Sequence, residues 1–274
     1  MEQLGDYIIT DTFHGDGMQG IVVKAVHLPT KRIYAAKVTK FKNEDQIERF
    51  MNEVTILSKL SRSKNIVRMV DNFKTEKKGI IILEKMHWDL MTCLEQNLIT
   101  QKQRMQIFEQ VCKAVKSMHS RGVAHLDLKP ENILLSQDFK RVKLCDFGAS
   151  QVLPKSGLIS NNGGTIIYSS PENFTGARFD GKKSDIWSLG ILYHVLITTN
   201  FPFSDGNERF IIDCIRKRKL KIHPTMKEYQ TNIMNRMVET DPSARITIEQ
   251  LLALVQTDSS WLHGFTARVR GKLF

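Results

Sequence analysis

A short polar run, His125-Leu126-Asp127-Leu128-Lys129-Pro130-Glu131-Asn132, constrains this chain more than any other feature. It sets a carboxylate, an ammonium and a carboxamide within six residues, and Asp146-Phe147-Gly148 begins fourteen residues after Asn132. A polar turn between two helices does not account for four such side chains at these spacings. An Asp, a Lys, an Asn and a second Asp are the groups needed to hold metal ions, a triphosphate and a hydroxyl nucleophile together.

The chain has 274 residues, enough for about two domains or one large domain of two lobes. Its 41% hydrophobic and 25% charged residues are ordinary for a soluble globular protein. No apolar stretch approaches the roughly 20 residues of a membrane helix. The longest candidate, residues 189–197, is short and contains His194. The first residues are acidic and lack the apolar core of a signal peptide, so an intracellular protein of the cytoplasm or nucleus is expected. Cys93, Cys112, Cys145 and Cys214 show neither a zinc spacing nor a disulfide framework, and reduced, mostly buried thiols are expected. The net charge of +11 favours acidic partners or nucleotides. Part of it comes from Arg216, Lys217, Arg218, Lys219 and Lys221, read as a solvated helix end. A docking surface for an acidic partner or nucleic acid, or a nuclear import signal, is the alternative.

Residues 7–41 read as strands, broken by a glycine turn and by the turn at Pro29-Thr30. Asn43 is placed to cap a helix with an acidic first turn, in which Ile47, Phe50, Met51, Val54, Leu57 and Leu60 keep helical spacing. Further strands are expected over 66–70 and 79–83, giving five strands and one helix in residues 1–86. Beyond them the pattern is helical: one helix capped by Thr100 and reaching residue 120, then helices over 184–198, 208–218, 227–238 and 248–255. The Gly/Ser/Asn-rich segment between Asp146 and Glu172 has the length that compact domains keep for function or motion. The fold class is α+β, with a β-rich part over 1–86, a mainly helical part over 87–258 and a short basic tail over 259–274.

Gly15-Asp16-Gly17-Met18-Gln19-Gly20-Ile21-Val22 lies between two strands, not between a strand and a helix, which disfavours a dinucleotide site. A plain hairpin turn is one reading. The other is a loop whose backbone amides close over phosphates at Gly15, Gly17 and Gly20. Lys37, within the apolar strand Tyr34-Ala35-Ala36-Lys37, needs a partner unless it snorkels to the surface. Glu53 on the amphipathic helix is the preferred carboxylate, with Glu48 near the helix start as its rival. Asp127 would take the proton of a substrate hydroxyl or orient it. Lys129 would stabilise the transferring phosphoryl group, and Asn132 and Asp146 would coordinate Mg2+. Positioning and charge neutralisation would carry the catalysis.

The ordered set is GxGxxGxV at 15–22, AxK at 35–37, Glu53, HxDLKPEN at 125–132 and DFG at 146–148, then Ser170-Pro171-Glu172, a DxWxxG helix at 185–190 and Arg245. From about residue 7 to residue 256 the chain resembles a eukaryotic-type protein kinase. The resemblance implies a bilobal fold with ATP in the cleft and Mg2+ as the metal. It implies Leu83 at the back of the adenine pocket, backbone groups of Glu84 and Met86 facing adenine, and Asp89 near the ribose. Val22, Ala35 and Leu134 would sandwich the ring. Met69, Leu57, His125 and Phe147 would stack as an apolar column, and Arg245 would pair with Glu172. Lys129 and Thr165 match kinases that act on Ser/Thr of protein substrates. A pseudokinase-type binding module is the alternative; such proteins often lack one of Lys37, Asp127, Asn132 or Asp146, and all four are present. No membrane contact is expected, and nucleic acid is not an expected partner.

Leu126 departs from the pattern. In the family an Arg there pairs with a phosphate on the activation loop, and Leu cannot. The expectation is activity without phosphorylation at Ser156 or Ser160, or control by a regulatory partner or self-association. Ser170 stands in place of Ala, a mild change. Glu131 would read a basic substrate residue, but a second carboxylate is missing near Val195. The chain's length is similar to that of compact kinases of large DNA viruses, baculoviruses included, and fits a cellular kinase or an excised domain equally well.

Overall fold

The computed structural model describes residues 1–17, 20–160, 163–204 and 206–256, with the backbone only over 11–17. Its first part is a sheet with one helix: β1 (Glu2–Leu4), β2 (Tyr7–Gly17), β3 (Gly20–His27), β4 (Ile33–Lys40), α1 (Glu44–Lys59), β5 (Met69–Lys74) and β6 (Lys78–Glu84). The sheet has six antiparallel strands in the order β1-β2-β3-β4-β6-β5. Five strands were expected. The sixth, β1, is an edge strand folded back on Tyr7–Ile9, too short to carry a hydrophobic period. The strand expected over 66–70 starts instead at Met69, because Ile66 bridges to Leu144 and the Val67 amide donates to the Leu144 carbonyl at 2.8 Å.

Strand alternation divides the sheet into two faces. Tyr7, Ile9, Val23, Ala25, Ala36, Ile80 and Ile82 form a small apolar cluster on one of them. The register opposes Val22 to Lys37, Lys37 to Ile81 and Ala35 to Leu83, so these five residues share the other face. That face meets α1 and the main core. Asn43 caps α1 by accepting from the Gln46 amide at 3.1 Å, and Glu44 and Asp45 complement the helix dipole. The helix lies close on β6 because Gly79 has no side chain: a Cβ there would sit 2.4 Å from the Phe50 ring.

The second part comprises β7 (Trp88–Asp89), α2 (Leu90–Glu95), α3 (Gln101–His119), β8 (Val123–Ala124), β9 (Ile133–Leu135), β10 (Val142–Leu144), β11 (Gln151–Val152), β12 (Leu158–Ile159) and β13 (Phe179–Asp180). It ends with α4 (Gly181–Thr198), α5 (Glu208–Arg216), α6 (Glu228–Met237) and a helical stretch over 248–256. Helix α2 was not expected; six residues are too few to display a helical period. Helix α5 stops two residues short of expectation, where Arg218 turns to φ +50° and the Lys219 amide donates back to the Cys214 carbonyl at 2.8 Å. Helix α4 is buried almost all round, and it carries Asp185 into the core. Among the described residues no helix is long and apolar enough to cross a membrane. The basic tail over 259–274 lies outside the described residues.

Candidate active site

Lys37 projects from the middle of β4 and is 7% exposed. Its ammonium donates to both Glu53 oxygens, at 2.7 and 2.8 Å, and to Asp146 Oδ1 at 2.7 Å. Glu53 faces it from the buried side of α1, whereas Glu48 is exposed. Burial by itself would lower the Lys37 pKa, but the two carboxylates outweigh it and hold the ammonium above its ordinary value. Burial likewise acts to raise Asp146, and Lys37 outweighs it to hold that carboxyl below its ordinary range. The stability from the raised Lys37 is complete below its ordinary value of 10.5 and is lost as pH rises through the higher folded value. The stability from the depressed Asp146 is complete above 3.8 and is lost as pH falls through the lower folded value. Lys37→Met leaves Glu53 and Asp146 facing each other without the ammonium, so both carboxylates lose their counter-charge in the variant and take up protons as pH falls. The melting-temperature difference from wild type should therefore be largest near about pH 8 and shrink toward about pH 5. Thermal unfolding across that range checks it; a difference that grows toward the acid end would mean that the two carboxyls do not depend on Lys37.

Asp127 lies between β8 and the short turn Pro130–Asn132. Its Oδ1 accepts from the Thr165 amide at 2.9 Å and the Thr165 hydroxyl at 2.7 Å. Its Oδ2 accepts from Asn132 Nδ2 at 3.1 Å and pairs with Lys129 Nζ at 3.0 Å. Lys129 Nζ also donates to Thr165 Oγ1 at 2.8 Å, and Asn132 Nδ2 to the Asp127 carbonyl at 2.8 Å. The carboxylate is thus held at both oxygens by three side chains and one backbone amide.

The backbone beneath it is strained. Leu126 sits at φ +67°, a region that a bulky side chain adopts at about 1–3 kcal/mol. Asp185, fully buried, holds that turn by accepting from the His125 amide at 2.9 Å and the Leu126 amide at 2.8 Å, and it also bonds His119 Nε2 at 2.8 Å. Nδ1 of His125 accepts the Asp127 amide at 3.3 Å, so its Nε2 carries the proton donated to the Cys145 carbonyl at 3.1 Å. The His125 ring packs 5.1 Å from that of Phe147, with Leu57 buried and Met69 half-buried in the same core.

Val22, Ala35 and Leu134 are half-buried, and Leu83 is 8% exposed behind them. The Glu84 amide donates to the Arg68 carbonyl at 2.9 Å, and its carboxylate accepts from the Arg68 amide at 2.7 Å and pairs with Lys143 at 2.6 Å. Met86 lies half-buried in the link between β6 and β7. Asp89 stands beside Leu134 in the β7–β9 register, where both its oxygens cap α2 through Thr92. Gly15 and Gly17 pair with Val22 and Gly20 across the β2–β3 hairpin; Met18 and Gln19 lie outside the described residues.

The site offers oxygen donors for a divalent cation beside a close-packed glycine strand. Gly20 has φ +151°, and a Cβ there would meet the Val38 carbonyl oxygen at 2.7 Å, so the strand has room for backbone alone. Among the described residues, Asp146 Oδ2 and Asn132 Oδ1 have no protein hydrogen bond, and both are hard oxygen donors. Among the described residues no group of three or more His, Cys, Asp and Glu side chains could hold a metal alone. Two such donors suit a divalent cation that keeps water and substrate phosphates as its other ligands.

Further along, Glu172 and Arg245 form a two-bond pair at 2.6 and 2.9 Å. Ser170 is fully buried and bonds Asn173 at 2.6 Å and Ser184 at 3.0 Å, so its hydroxyl is accommodated. Within the basic cluster, Arg216 donates to the Phe174 carbonyl, Lys217 pairs with Asp213 and Arg218 with Glu239, which agrees with an ordinary helix end. Cys145 is half-buried, and burial drives its thiol pKa upward. Two contacts escaped the sequence reading: that of Asp185, named there only as part of the DxWxxG helix, with the Leu126 turn, and that of Asn52, which ties α1 to the Ser150 carbonyl at 2.8 Å across 98 residues. A local pattern cannot show contacts of that separation.

A β-rich part with one charged helix partner, joined to a helical part bearing the Asp127 loop, defines a bilobal α+β phosphotransferase-type fold. Residues 10–255 match the family model described as the protein kinase domain. The chain is 30% identical over 256 residues to a probable serine/threonine-protein kinase of Dictyostelium discoideum, covering 92% of this chain and 30% of that protein. It is 30% identical over 275 residues to the maternal embryonic leucine zipper kinase of Xenopus laevis, covering 98% and 41%. It is 29% identical over 256 residues to the SNF1-like protein kinase ssp2 of Schizosaccharomyces pombe, covering 90% and 43%. The chain belongs to the protein kinase domain family, and it spans less than half the length of these relatives.

Proposed function

We propose that this domain transfers the terminal phosphoryl group of ATP to Ser or Thr hydroxyls of protein substrates, with Mg2+ as the metal. The observation that carries the reading is the Asp127 carboxylate held by Thr165, Lys129 and Asn132, on the same chain as the buried Lys37–Glu53 pair and the half-buried Asp146 bonded to it. Asp127 orients the substrate hydroxyl and takes its proton while the hydroxyl oxygen bonds to phosphorus and ADP leaves. Lys129 balances charge on the transferring group. Lys37, oriented by Glu53, anchors the nucleotide phosphates, and Asn132 and Asp146 hold the metal, which neutralises charge building on the phosphate oxygens. Val22, Ala35, Leu83 and Leu134 line the adenine side, with Glu84, Met86 and Asp89 at its rim. Gly15, Gly17 and Gly20 cover the phosphates. The presence of all four polar groups disfavours a pseudokinase.

Leu126 supports a second part of the reading: activity does not require a phosphate on Ser156 or Ser160. Both serines are exposed, and the residue before Asp127 has no charge to meet a phosphate. The test is transfer from labelled ATP to an array of Ser/Thr peptides, with Mg2+, before and after phosphatase treatment of the enzyme. Equal rates are expected. Loss of activity that maps to a dephosphorylated loop serine would sink the second part, and no labelling under any condition would sink the first.

A further inference from the structure

Leu126 belongs to an apolar cluster separate from the main core. Ala124, Leu126, Ile159 and Phe179 are buried together, at 0%, 9%, 4% and 5% exposure, with Leu153 half-buried against them. They come from distant places: Ala124 from β8, Ile159 from β12, Phe179 from β13. Two short ribbons deliver them, β11 paired with β8 and β12 paired with β13. Further bonds fasten the segment around them. The Leu153 amide donates to the Gly122 carbonyl at 2.7 Å, Gln151 Nε2 to the Ser160 carbonyl at 3.2 Å, and Arg178 to the Leu158 carbonyl at 2.6 Å.

The packing is tight. A Cβ on Gly181, at the start of α4, would lie 2.9 Å from Ile159, 3.0 Å from Ala124 and 3.1 Å from Leu153. The cluster also leads to the chemistry. Leu126 precedes Asp127, and a Cβ on Gly164 would lie 2.6 Å from the Leu126 carbonyl oxygen. The next residue is Thr165, whose amide and hydroxyl hold Asp127. Apolar burial therefore joins Ile159 and Phe179 to Leu126, and the close approach of the Gly164 backbone to the Leu126 carbonyl carries that order on to Thr165 and the carboxylate.

We propose that Ile159, Phe179 and Leu126 are positioning residues for Asp127, ordering the segment that carries Thr165 by apolar burial where an ion pair to a phosphate would otherwise be needed. This rests on the phosphoryl-transfer reading above. It explains how a Leu beside the catalytic Asp supports an ordered segment: burial of apolar surface needs no modification and is always present.

The test compares Ile159→Ala with the volume-conserving Ile159→Leu. In Ile159→Ala, kcat for a peptide should fall by about tenfold to a hundredfold, because small misplacements of catalytic groups have effects of that size. The KM for peptide should rise, and the affinity for a fluorescent ATP analogue should stay within about twofold, since Lys37, Glu53 and Asp146 lie outside the cluster. Amide exchange over residues 163–169 should quicken by about tenfold or more, with α3 unchanged. Ile159→Leu should restore all of these. A merely structural role would instead lower nucleotide affinity and α3 protection in parallel with activity. Unchanged exchange and kcat in Ile159→Ala, with a wild type that transfers phosphate, would overturn the proposal. A wild type that labels no peptide, together with faster exchange in Ile159→Ala, would uphold the cluster's ordering role and sink the transfer reading.

Discussion

Asp127→Asn should lower the rate of phosphoryl transfer by about a thousandfold, the middle of the range for loss of a general base. The carboxamide fills the same space and can still accept the two Thr165 bonds through one oxygen. Its other end becomes an NH2 group facing Asn132 Nδ2 and the Lys129 ammonium, where a carboxylate oxygen now accepts from both. Neither the proton acceptor nor the counter-charge for Lys129 survives. Stability should change by no more than about 1–2 kcal/mol, because a few hydrogen bonds are altered and no cavity opens. Nucleotide affinity should hold, since Lys37 and Asp146 are untouched. Single-turnover transfer from labelled ATP, with nucleotide titration alongside, measures both. Equal incorporation by wild type and variant would exclude Asp127 as the catalytic carboxylate.

Arg245→Met should destabilise the domain by about 3–5 kcal/mol, because it strands a buried carboxylate. Arg245 is 1% exposed, meets Glu172 at 2.6 and 2.9 Å, and stacks 5.3 Å over the Trp187 ring. It also donates to the Lys183 carbonyl at 2.7 Å and the Glu239 carbonyl at 2.8 Å. For a domain of this size the loss corresponds to a fall of about 10 °C in melting temperature. Adding Glu172→Met should recover part of it by removing the unpaired charge, although the two carbonyls remain without their donor. A double variant less stable than Arg245→Met alone would show that Glu172 has other partners to satisfy it. Thermal unfolding of the single and double variants decides the point.

Much of the site was legible because its chemistry is local. Asp127, Lys129 and Asn132 lie within six residues, so their grouping could be read from spacing, while the bonds from Lys129 and Asn132 to the Asp127 carboxylate came from the structure. The sheet and the long helices showed their periods over many residues. The misses have a common cause. Strand β1 and helix α2 are too short to display a period, and the start of β5 is decided by the Ile66–Leu144 bridge, a contact with the other part of the molecule. The same limit hid Asp185 beneath Leu126, and hid the cluster that Leu126 joins.

The sequence by itself determined which groups are available: one Lys in an apolar strand, one carboxylate on the buried stripe of a helix, and an Asp followed by Lys and Asn. It also determined that a Leu stands where charge was to be expected, because side-chain identity is a property of the chain alone. Only the tertiary structure decided what that Leu does. Apolar burial depends on which surfaces meet, and Ile159 and Phe179 reach Leu126 on the β12–β13 ribbon, which no local pattern encodes.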